Sequence, residues 1–242
     1  MDLSYWNNYF NANKDHFDDI DWNKIDLLIP AEKEVIASSI QQFQKGEQSE
    51  GKHFFSYAKT FPDPRYLEVI RLFIREEQTH AFVLGKFMEL KGIPRIKSHW
   101  VDNIFRWFRK LADLENTVTV LITAEIIAKV YYKALKNATG SLLLDKICEQ
   151  ILKDEDQHIA FQSYTLQLFF KKKNRVRKFF SRLFHQLLML GTICVVWVTH
   201  HRVFKGGGYS FSSFFMETML VFIDSEKTIK KREKFEPAFH TN

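Results

Sequence analysis

Residues that make tight turns and cross-links are scarce in this chain of 242 residues, which has 9 glycines, 5 prolines and 2 cysteines. An all-β chain of this length needs a turn about every dozen residues, so this scarcity favours long helices. The two cysteines, Cys148 and Cys194, form no Cys-x-x-Cys pair, which excludes a disulfide scaffold and a thiolate zinc site. The N-terminus has neither the basic nor the apolar region of a signal peptide, and we expect a cytoplasmic protein.

Hydrophobic residues make up 45% of the chain and charged residues 26%, which is typical of a globular protein rather than a disordered one. The length predicts a single domain, in which an N-terminal arm or short helix (1–29) precedes a helical core (30–170) and further C-terminal helices (175–232). The net charge of +6 is compatible with an acidic partner, RNA or a membrane surface, and it distinguishes none of them.

Apolar residues at helical spacing, and the breaks between them, predict an all-α fold without β-alternation. The breaks are Phe61-Pro62-Asp63-Pro64, Gly92-Ile93-Pro94, the stretch 136–141 and Gly206-Gly207-Gly208. They delimit predicted helices at 30–60, 65–91, 114–136 and 142–170, an apolar helix that ends near 204, a last helix at 212–232, and a short helix within 99–110.

The pattern Glu-x-x-His occurs at Glu77–His80 and again at Glu155–His158. Residues three apart share a helical face, so each pair can direct one carboxylate and one imidazole towards the same point. The pattern alone is weak evidence, because the segment Glu50–His53 also matches it.

The spacing of two further glutamates strengthens the pattern. Glu47 precedes Glu77 by 30 residues, and Glu125 precedes Glu155 by 30 residues. The midpoints of both intervals fall in predicted breaks, so each interval is expected to fold as an antiparallel helical hairpin. The two glutamates of a hairpin would then face each other about 22 Å from the turn.

All four glutamates lie on the predicted apolar faces rather than on solvent faces. Glu125 is the clearest case, because residues 118–128 contain no other charged residue. Carboxylates that face one core are costly if unpaired, and these faces supply no arginine or lysine. Two divalent ions would balance four carboxylates, and two imidazoles would complete the ligand set. Such a set favours iron or manganese over zinc.

One glutamate from each of two helices, with Glu-x-x-His from each of two others, resembles the ligand pattern of ferritin-like di-iron carboxylate bundles. The resemblance covers about residues 30–170. It implies a four-helix bundle with one long crossover, additional C-terminal helices, and two iron ions, with manganese or a mixed pair as alternatives. It also implies six metal ligands, which would be the catalytic residues: Glu47, Glu77, His80, Glu125, Glu155 and His158.

Within that superfamily, Gly46-Glu47-Gln48 and Lys153-Asp154-Glu155-x-x-His158 are most similar to aldehyde-deformylating oxygenases. The second segment also resembles acyl-carrier-protein desaturases, whereas arylamine N-oxygenases have a histidine at the position of Ile151. The resemblance implies an oxidoreductase that activates O2 to oxidise a small hydrophobic substrate, either an acyl or aldehyde compound or an aromatic one. An external ferredoxin or reductase would supply electrons, because the chain has no flavin or nicotinamide fingerprint.

Two other functions stay open at this point. The chain could be a ferroxidase or another iron-handling protein, although roughly 70 residues after the fourth predicted helix disfavour a storage cage. It could also be a metal-free helical module that binds a membrane or a partner protein. Failure to bind iron would favour this second alternative.

Several residues have competing interpretations. Glu50 would also place the interval midpoint in the first break, but the equal intervals and the family pattern favour Glu47. His53 lies two turns from Glu47, and we do not expect it to be a ligand. Glu125 could instead form an ion pair with Lys129, four residues further along the helix.

Four neighbouring polar residues are candidates for supporting roles. Asp154 and Asp156 could accept a hydrogen bond from a ligand histidine, or could be solvated helix charges. Tyr57 and Tyr132 lie within a few turns of the candidate ligands and could serve in hydrogen bonding or radical chemistry. Ordinary core packing is the expected role of both tyrosines.

The C-terminal part combines an apolar segment with a basic one. The apolar stretch 187–198 is shorter than the roughly 20 residues of a membrane span, so we expect a helix that covers the bundle. The basic run 171–178 could seat the protein on the anionic inner face of a membrane, dock an acidic carrier protein or RNA, or form a solvated helix end. These helices could also form a homodimer contact.

Overall fold

The computed structural model describes residues 2–23, 26–49, 51–97 and 113–231, and these residues form helices and no β-strand. The predicted all-α fold is confirmed for this part of the chain. The predicted short helix within 99–110 lies outside the described residues. The helices are α1 (Leu3–Ala12), α2 (Pro30–Ser49), α3 (Gly51–Ala58), α4 (Pro64–Leu90), α5 (Leu114–Asn137), α6 (Leu142–Lys171), α7 (Arg175–Gly206) and α8 (Phe211–Lys231).

Helices α4, α5 and α6 begin and end within one residue of the predicted positions. The helix predicted over 30–60 corresponds to α2 and α3, and residue 50 between them lies outside the described residues.

Polar caps define the starts of the helices that carry the motifs. The Asp63 side chain accepts a 3.0 Å hydrogen bond from the Arg65 amide, and Pro64 occupies the first turn of α4. Asp113 caps α5 in the same way through Asn116, and Ser141 caps α6 through Leu144. These local signals set where each helix begins.

The long helices pack around one apolar core. Helix α5 packs most extensively against α6, α2 packs against α4, and α4 also contacts α6. The short connection between α5 and α6 makes them an antiparallel pair. Helix α7 covers α5 and α2 from outside, and α8 covers α6. This arrangement directs α2, α4, α5 and α6 towards a common centre.

The segment expected to be an N-terminal arm is part of the core. Helix α1 packs against α4, and its residues Trp6 and Phe10 are fully or almost fully buried. The rings of both residues contact Phe161 of α6, with centroids 5.4 and 5.7 Å away. Aromatic contacts of this kind fix α1 across one end of the space between α4 and α6.

A buried carboxylate anchors the chain just before α2. Asp26 accepts hydrogen bonds from Lys91 at 2.7 Å, from the Ser141 hydroxyl at 2.7 Å and from the Leu143 amide at 3.1 Å. Burial alone would raise the pKa of Asp26, but these donors lower it below its usual value. Asp26 therefore ties the start of α2 to the end of α4 and the start of α6.

Candidate metal centre

The six residues predicted as ligands converge between four helices. They come from α2 (Glu47), α4 (Glu77 and His80), α5 (Glu125) and α6 (Glu155 and His158), and none is more than 8% exposed. Their ligand atoms form two groups, within each of which the atoms lie within 4.8 Å of one another. The first group contains Glu47, Glu77 and His80, and the second contains Glu77, Glu125, Glu155 and His158.

Glu77 belongs to both groups and lies between the two histidines. Its Oε1 atom is 2.9 Å from Nδ1 of His158 and 3.8 Å from Nδ1 of His80. A carboxylate in this position can bridge two cations. The shared carboxylate would allow the two groups to hold two neighbouring ions.

The remaining carboxylates surround the two imidazoles at longer range. Nδ1 of His158 lies 3.6 Å from Oε2 of Glu155 and 3.8 Å from Oε2 of Glu125. Nδ1 of His80 lies 4.0 Å from Oε2 of Glu47. Separations of 3.6–4.0 Å exceed ordinary hydrogen-bond lengths and leave room for a cation that contacts both partners.

Several buried polar atoms at this centre have no hydrogen-bond partner among the described residues. They are Nδ1 of His80 and both carboxylate oxygens of Glu155, whereas Oε1 of Glu77 and Nδ1 of His158 lie 2.9 Å from each other. Buried polar groups in native proteins are almost always satisfied, and an unsatisfied one costs about 1–3 kcal/mol. All three unpartnered atoms belong to candidate ligands, so the donor set fits bound metal ions.

Burial and mutual repulsion oppose ionisation of three of the carboxylates. Burial, with the neighbouring charge of Glu77, raises the pKa of Glu47 well above its usual range. Burial and Glu125 act in the same way on Glu155 and raise the pKa of Glu77 to about 7. A cation between them would reverse this effect by stabilising the ionised forms.

Glu125 and His158 show the opposite balance. Burial alone would raise the pKa of Glu125, but its interaction with His158 lowers the pKa below the usual value. Burial alone would lower the pKa of His158, but Glu77, Glu125 and Glu155 raise it well above the usual value. In the absence of a cation, the surrounding carboxylates therefore favour the charged form of His158.

A second carboxylate holds each of the two imidazoles from behind. Nε2 of His80 lies 3.0 Å from Oδ2 of Asp154, and Nε2 of His158 lies 2.8 Å from Oε2 of Glu76. Asp154 is one of the two aspartates predicted as acceptors for a ligand histidine. Sequence reasoning missed Glu76, although the acidic doublets at 76–77 and 154–155 carry the same signal twice.

The N-terminal segment connects these two supporting carboxylates. Nδ2 of Asn13 donates hydrogen bonds to Oε1 of Glu76 at 2.6 Å and to Oδ1 of Asp154 at 2.9 Å. Nε2 of His16 lies 3.0 Å from Oδ2 of Asp154. Burial would raise the pKa of Asp154, but His16 and His80 lower it below its usual value. Nothing in the local sequence around Asn13 and His16 indicates this role.

The other residues with open interpretations are distributed as follows. Tyr132 is buried in the core as expected, and it also donates a 2.5 Å hydrogen bond from its hydroxyl to Oε1 of Glu47. Tyr57 is half-buried and packs against the core.

Lys129 pairs with the exposed Asp156 rather than with Glu125. Glu50 and the side chain of His53 lie outside the described part of the chain.

Aromatic rings enclose the centre on the side of α1. The ring of His158 has Phe73 at 4.7 Å and Phe10 at 6.1 Å between centroids. The ring of Phe17 lies 5.9 Å from that of His80. These rings surround the imidazoles with apolar surface and keep water away from their supporting hydrogen bonds.

Comparison with known proteins gives no relative from which a function could be transferred. No protein-family model matches the chain, and no curated protein is detectably similar to it.

Proposed function

We propose that the chain is a ferritin-like di-iron carboxylate oxidoreductase that activates O2 to oxidise a small hydrophobic substrate. The observation that carries this proposal is the position of Glu77, which belongs to both buried groups of carboxylates and histidines. Several ligand atoms of these groups have no hydrogen-bond partner among the described residues. A single cation would use one group, whereas the shared carboxylate favours a pair.

The charge and chemistry of the donor set support iron, with a mixed iron and manganese pair as the alternative. Four carboxylates would balance two divalent cations, and a set of oxygen donors with two imidazoles favours these metals over zinc. One ion would be held by Glu47 and His80. The other ion would be held by Glu125, Glu155 and His158, and Glu77 would contact both ions. These assignments follow the two groups of neighbouring ligand atoms.

The supporting carboxylates prepare both imidazoles for metal binding. When Nε2 of each imidazole donates its proton to Asp154 or Glu76, the lone pair resides on Nδ1, which faces the centre. Tyr132 restrains Glu47 by its hydrogen bond, and this bond leaves Oε2 of Glu47 facing His80. The protein would thus fix the ligand geometry before metal arrives.

Two iron ions in this setting would supply the capacity to reduce O2 and oxidise a substrate bond. The chain's own contribution is to exclude water with Phe10, Phe73 and Phe17 and to keep the ligand carboxylates in an apolar environment. Such surroundings suit a fatty or aromatic substrate. Electrons would enter from an external ferredoxin or reductase.

Elemental analysis of the purified protein tests the metal centre directly. We expect about two iron ions per chain, and loss of at least one of them in Glu125→Ala. The matched control is Glu68→Ala, because Glu68 is exposed on α4 and is expected to leave the metal content unchanged. Absence of metal from the wild-type protein after reconstitution with ferrous iron would reject the proposal and leave a helical binding module.

A second measurement separates an oxygenase from an iron-handling protein. The iron-loaded protein is supplied with a reductant and O2, and long-chain aldehydes, acyl carriers and arylamines are tested as substrates. We expect O2 consumption coupled to an oxidised organic product, and loss of that coupling in Glu125→Ala. O2 consumption driven only by added ferrous iron, with a large-assembly mass in solution, would instead identify a ferroxidase or an iron store.

A further inference from the structure

The outward face of α7 carries an apolar stripe along most of the helix. The exposed apolar residues that define this α7 stripe are Val176, Phe179, Phe180, Leu183, Phe184, Leu187, Leu190, Val195 and Val198. Most of them recur every three or four positions, so they lie along one side of the helix for about 33 Å. A contiguous apolar surface of this length on a folded protein marks an interaction site.

The opposite face of α7 is bound to the helical bundle. Met189, Ile193 and Val203 are buried, and α7 packs against α2 and α5. Polar contacts extend along the same side, where Nδ1 of His200 lies 2.7 Å from the Ser39 hydroxyl. Helix α7 therefore packs one face against the bundle, and none of the described residues covers its other face.

The length of α7 would also suit a membrane span, and the packing argues against one. It is the one helix among the described residues that is long and apolar enough to cross a membrane, with 28% of its most apolar window buried. Near its C-terminal end, however, Arg202 forms a 2.9 Å ion pair with Glu34 of the neighbouring helix α2. A spanning α7 would carry α2 and its charges into hydrocarbon, so the geometry fits a helix that lies along a surface.

The charge of α7 selects the kind of surface. Residues 175–206 contain no aspartate or glutamate, and their charged residues are Arg175, Arg177, Lys178, Arg182, Arg202 and Lys205. Lys171, Lys172 and Lys173 come immediately before the helix. A second copy of the chain would bring cations against cations in either orientation, whereas anionic lipid headgroups complement them.

We propose that the α7 stripe and the basic segment 171–178 form a peripheral membrane-binding surface for anionic bilayers. The stripe inserts among the upper acyl chains, while the exposed basic side chains of Lys172, Arg175 and Arg177 contact phosphate groups. Both features are needed, because the insertion of apolar side chains alone gives weak membrane binding. The attraction between basic side chains and anionic lipids adds to its strength. This proposal does not depend on the metal centre, and its test uses no enzymatic activity.

Vesicle co-sedimentation of the purified full-length protein tests the surface. The probes are phosphatidylcholine vesicles and vesicles in which phosphatidylglycerol replaces a third of the lipid. We expect at least tenfold stronger binding to the anionic vesicles. Binding is also expected to weaken when salt is raised from about 0.1 M to about 1 M, because the Debye length falls from about 10 Å to about 3 Å.

Two sets of variants, each with a matched control, assign the binding to α7. The stripe variant is the triple substitution Phe180→Ser/Leu187→Ser/Val198→Ser. Its control is Phe82→Ser/Leu90→Ser/Leu142→Ser, which alters residues on other helices. All six side chains are 53–73% exposed. The basic variant is Lys172→Gln/Arg175→Gln/Arg177→Gln, which removes three positive charges near the stripe. Its control is Lys59→Gln/Arg71→Gln/Arg75→Gln, which removes three positive charges elsewhere. We expect at least tenfold weaker binding in the first variant of each pair and unchanged binding in its control.

Circular dichroism and thermal unfolding establish whether each variant is folded. If the stripe variant does not fold, the salt series and the basic variants still test membrane binding. Equal binding by wild-type and stripe variants, or no binding to anionic vesicles, would overturn the proposal. A dimeric mass in buffer that becomes monomeric in the stripe variant would assign the surface to a second copy. Resistance of the cellular protein to alkaline carbonate extraction would make α7 a spanning helix.

Discussion

Asp154 supports His80 from the opposite motif: its Oδ2 atom lies 3.0 Å from Nε2 of His80, and it directly precedes Glu155 in the chain. Glu76 and His158 have the same relationship in reverse, at 2.8 Å. Each Glu-x-x-His helix therefore positions the imidazole of the other. The two motifs form one interlocked unit, and a change in either supporting carboxylate is expected to affect metal binding.

We expect Asp154→Asn to lower the affinity for metal about 10- to 100-fold, because removing the partner of a ligand histidine typically has this effect. An amide accepts the proton of His80 Nε2 less strongly than a carboxylate does. Competition titration against a chelator measures the change. Asp156→Asn is the matched control, since Asp156 is exposed and two residues away; an equal loss in both variants would contradict the role given to Asp154.

Replacement of Asn13 is expected to destabilise the fold as well as the centre. Asn13→Ala removes the donor shared by Glu76 and Asp154, and loss of such a donor to buried carboxylates costs about 1–3 kcal/mol. Urea unfolding of the metal-free protein measures this cost. Asn11→Ala serves for comparison, because Asn11 is exposed and bonds only to Asn7 within α1, and it is expected to change stability by less than about 0.5 kcal/mol.

The anchor at Asp26 predicts a pH-dependent contribution to stability. Because hydrogen bonds lower the pKa of Asp26 in the folded state, its contribution is fully present above the unfolded value of about 3.9 and is lost as the pH falls through the folded value. Asp26→Asn is expected to reduce the free energy of unfolding at pH 7 by about 1–3 kcal/mol. The difference from wild type should shrink below about pH 4.

Urea unfolding at several pH values checks the Asp26 prediction. The exposed Asp19→Asn variant provides the control, and its difference from wild type is expected to be small at every pH. A constant difference between Asp26→Asn and wild type across the acidic range would show that ionisation of Asp26 is not the source of its effect.

The aromatic wall of the centre contributes to stability through packing. Phe73 is fully buried and contacts the rings of His158, Phe54 and Phe161 at 4.7, 5.9 and 6.1 Å. Phe73→Ala is expected to reduce the free energy of unfolding by about 3–5 kcal/mol, the usual cost of removing a buried phenylalanine. Phe82→Ala on the same helix is 59% exposed and should cost far less. Similar losses in both variants would argue against this packing.

Local sequence signals were sufficient to predict the long helices α4, α5 and α6 and to single out the six residues that the structure brings together. Pro64 and Gly92 mark the two ends of α4, and Gly92 has a positive φ of 61°, which glycine adopts readily. The equal 30-residue intervals reflect two hairpins of equal length, and therefore bring Glu47 to Glu77 and Glu125 to Glu155. Helical periodicity and turn position are properties of short segments, so they can be recognised without the tertiary structure.

The supporting residues depend on how segments distant in the chain dock together. Asn13 and His16 follow a short aromatic helix that shows no motif, and only the packing of α1 on α4 brings them to the centre. The alternative ion pair between Glu125 and Lys129 was compatible with helix geometry, but α6 offers Asp156 to that lysine instead. Pairing across helices is decided by their rotation and height, which the spacing within one helix does not specify.

The contact between Asn13 and Asp154 also constrains the order of folding. The two residues are separated by 141 positions, so the supporting network cannot close until α6 has been synthesised. Contacts of such high sequence separation form late, because the entropy of a long loop must be overcome first. Helix α1 can dock on α4 before then, but its ring contacts with Phe161 of α6 form only afterwards. We therefore expect the nascent chain to acquire a complete metal centre only after translation of α6, even though α1 emerges first.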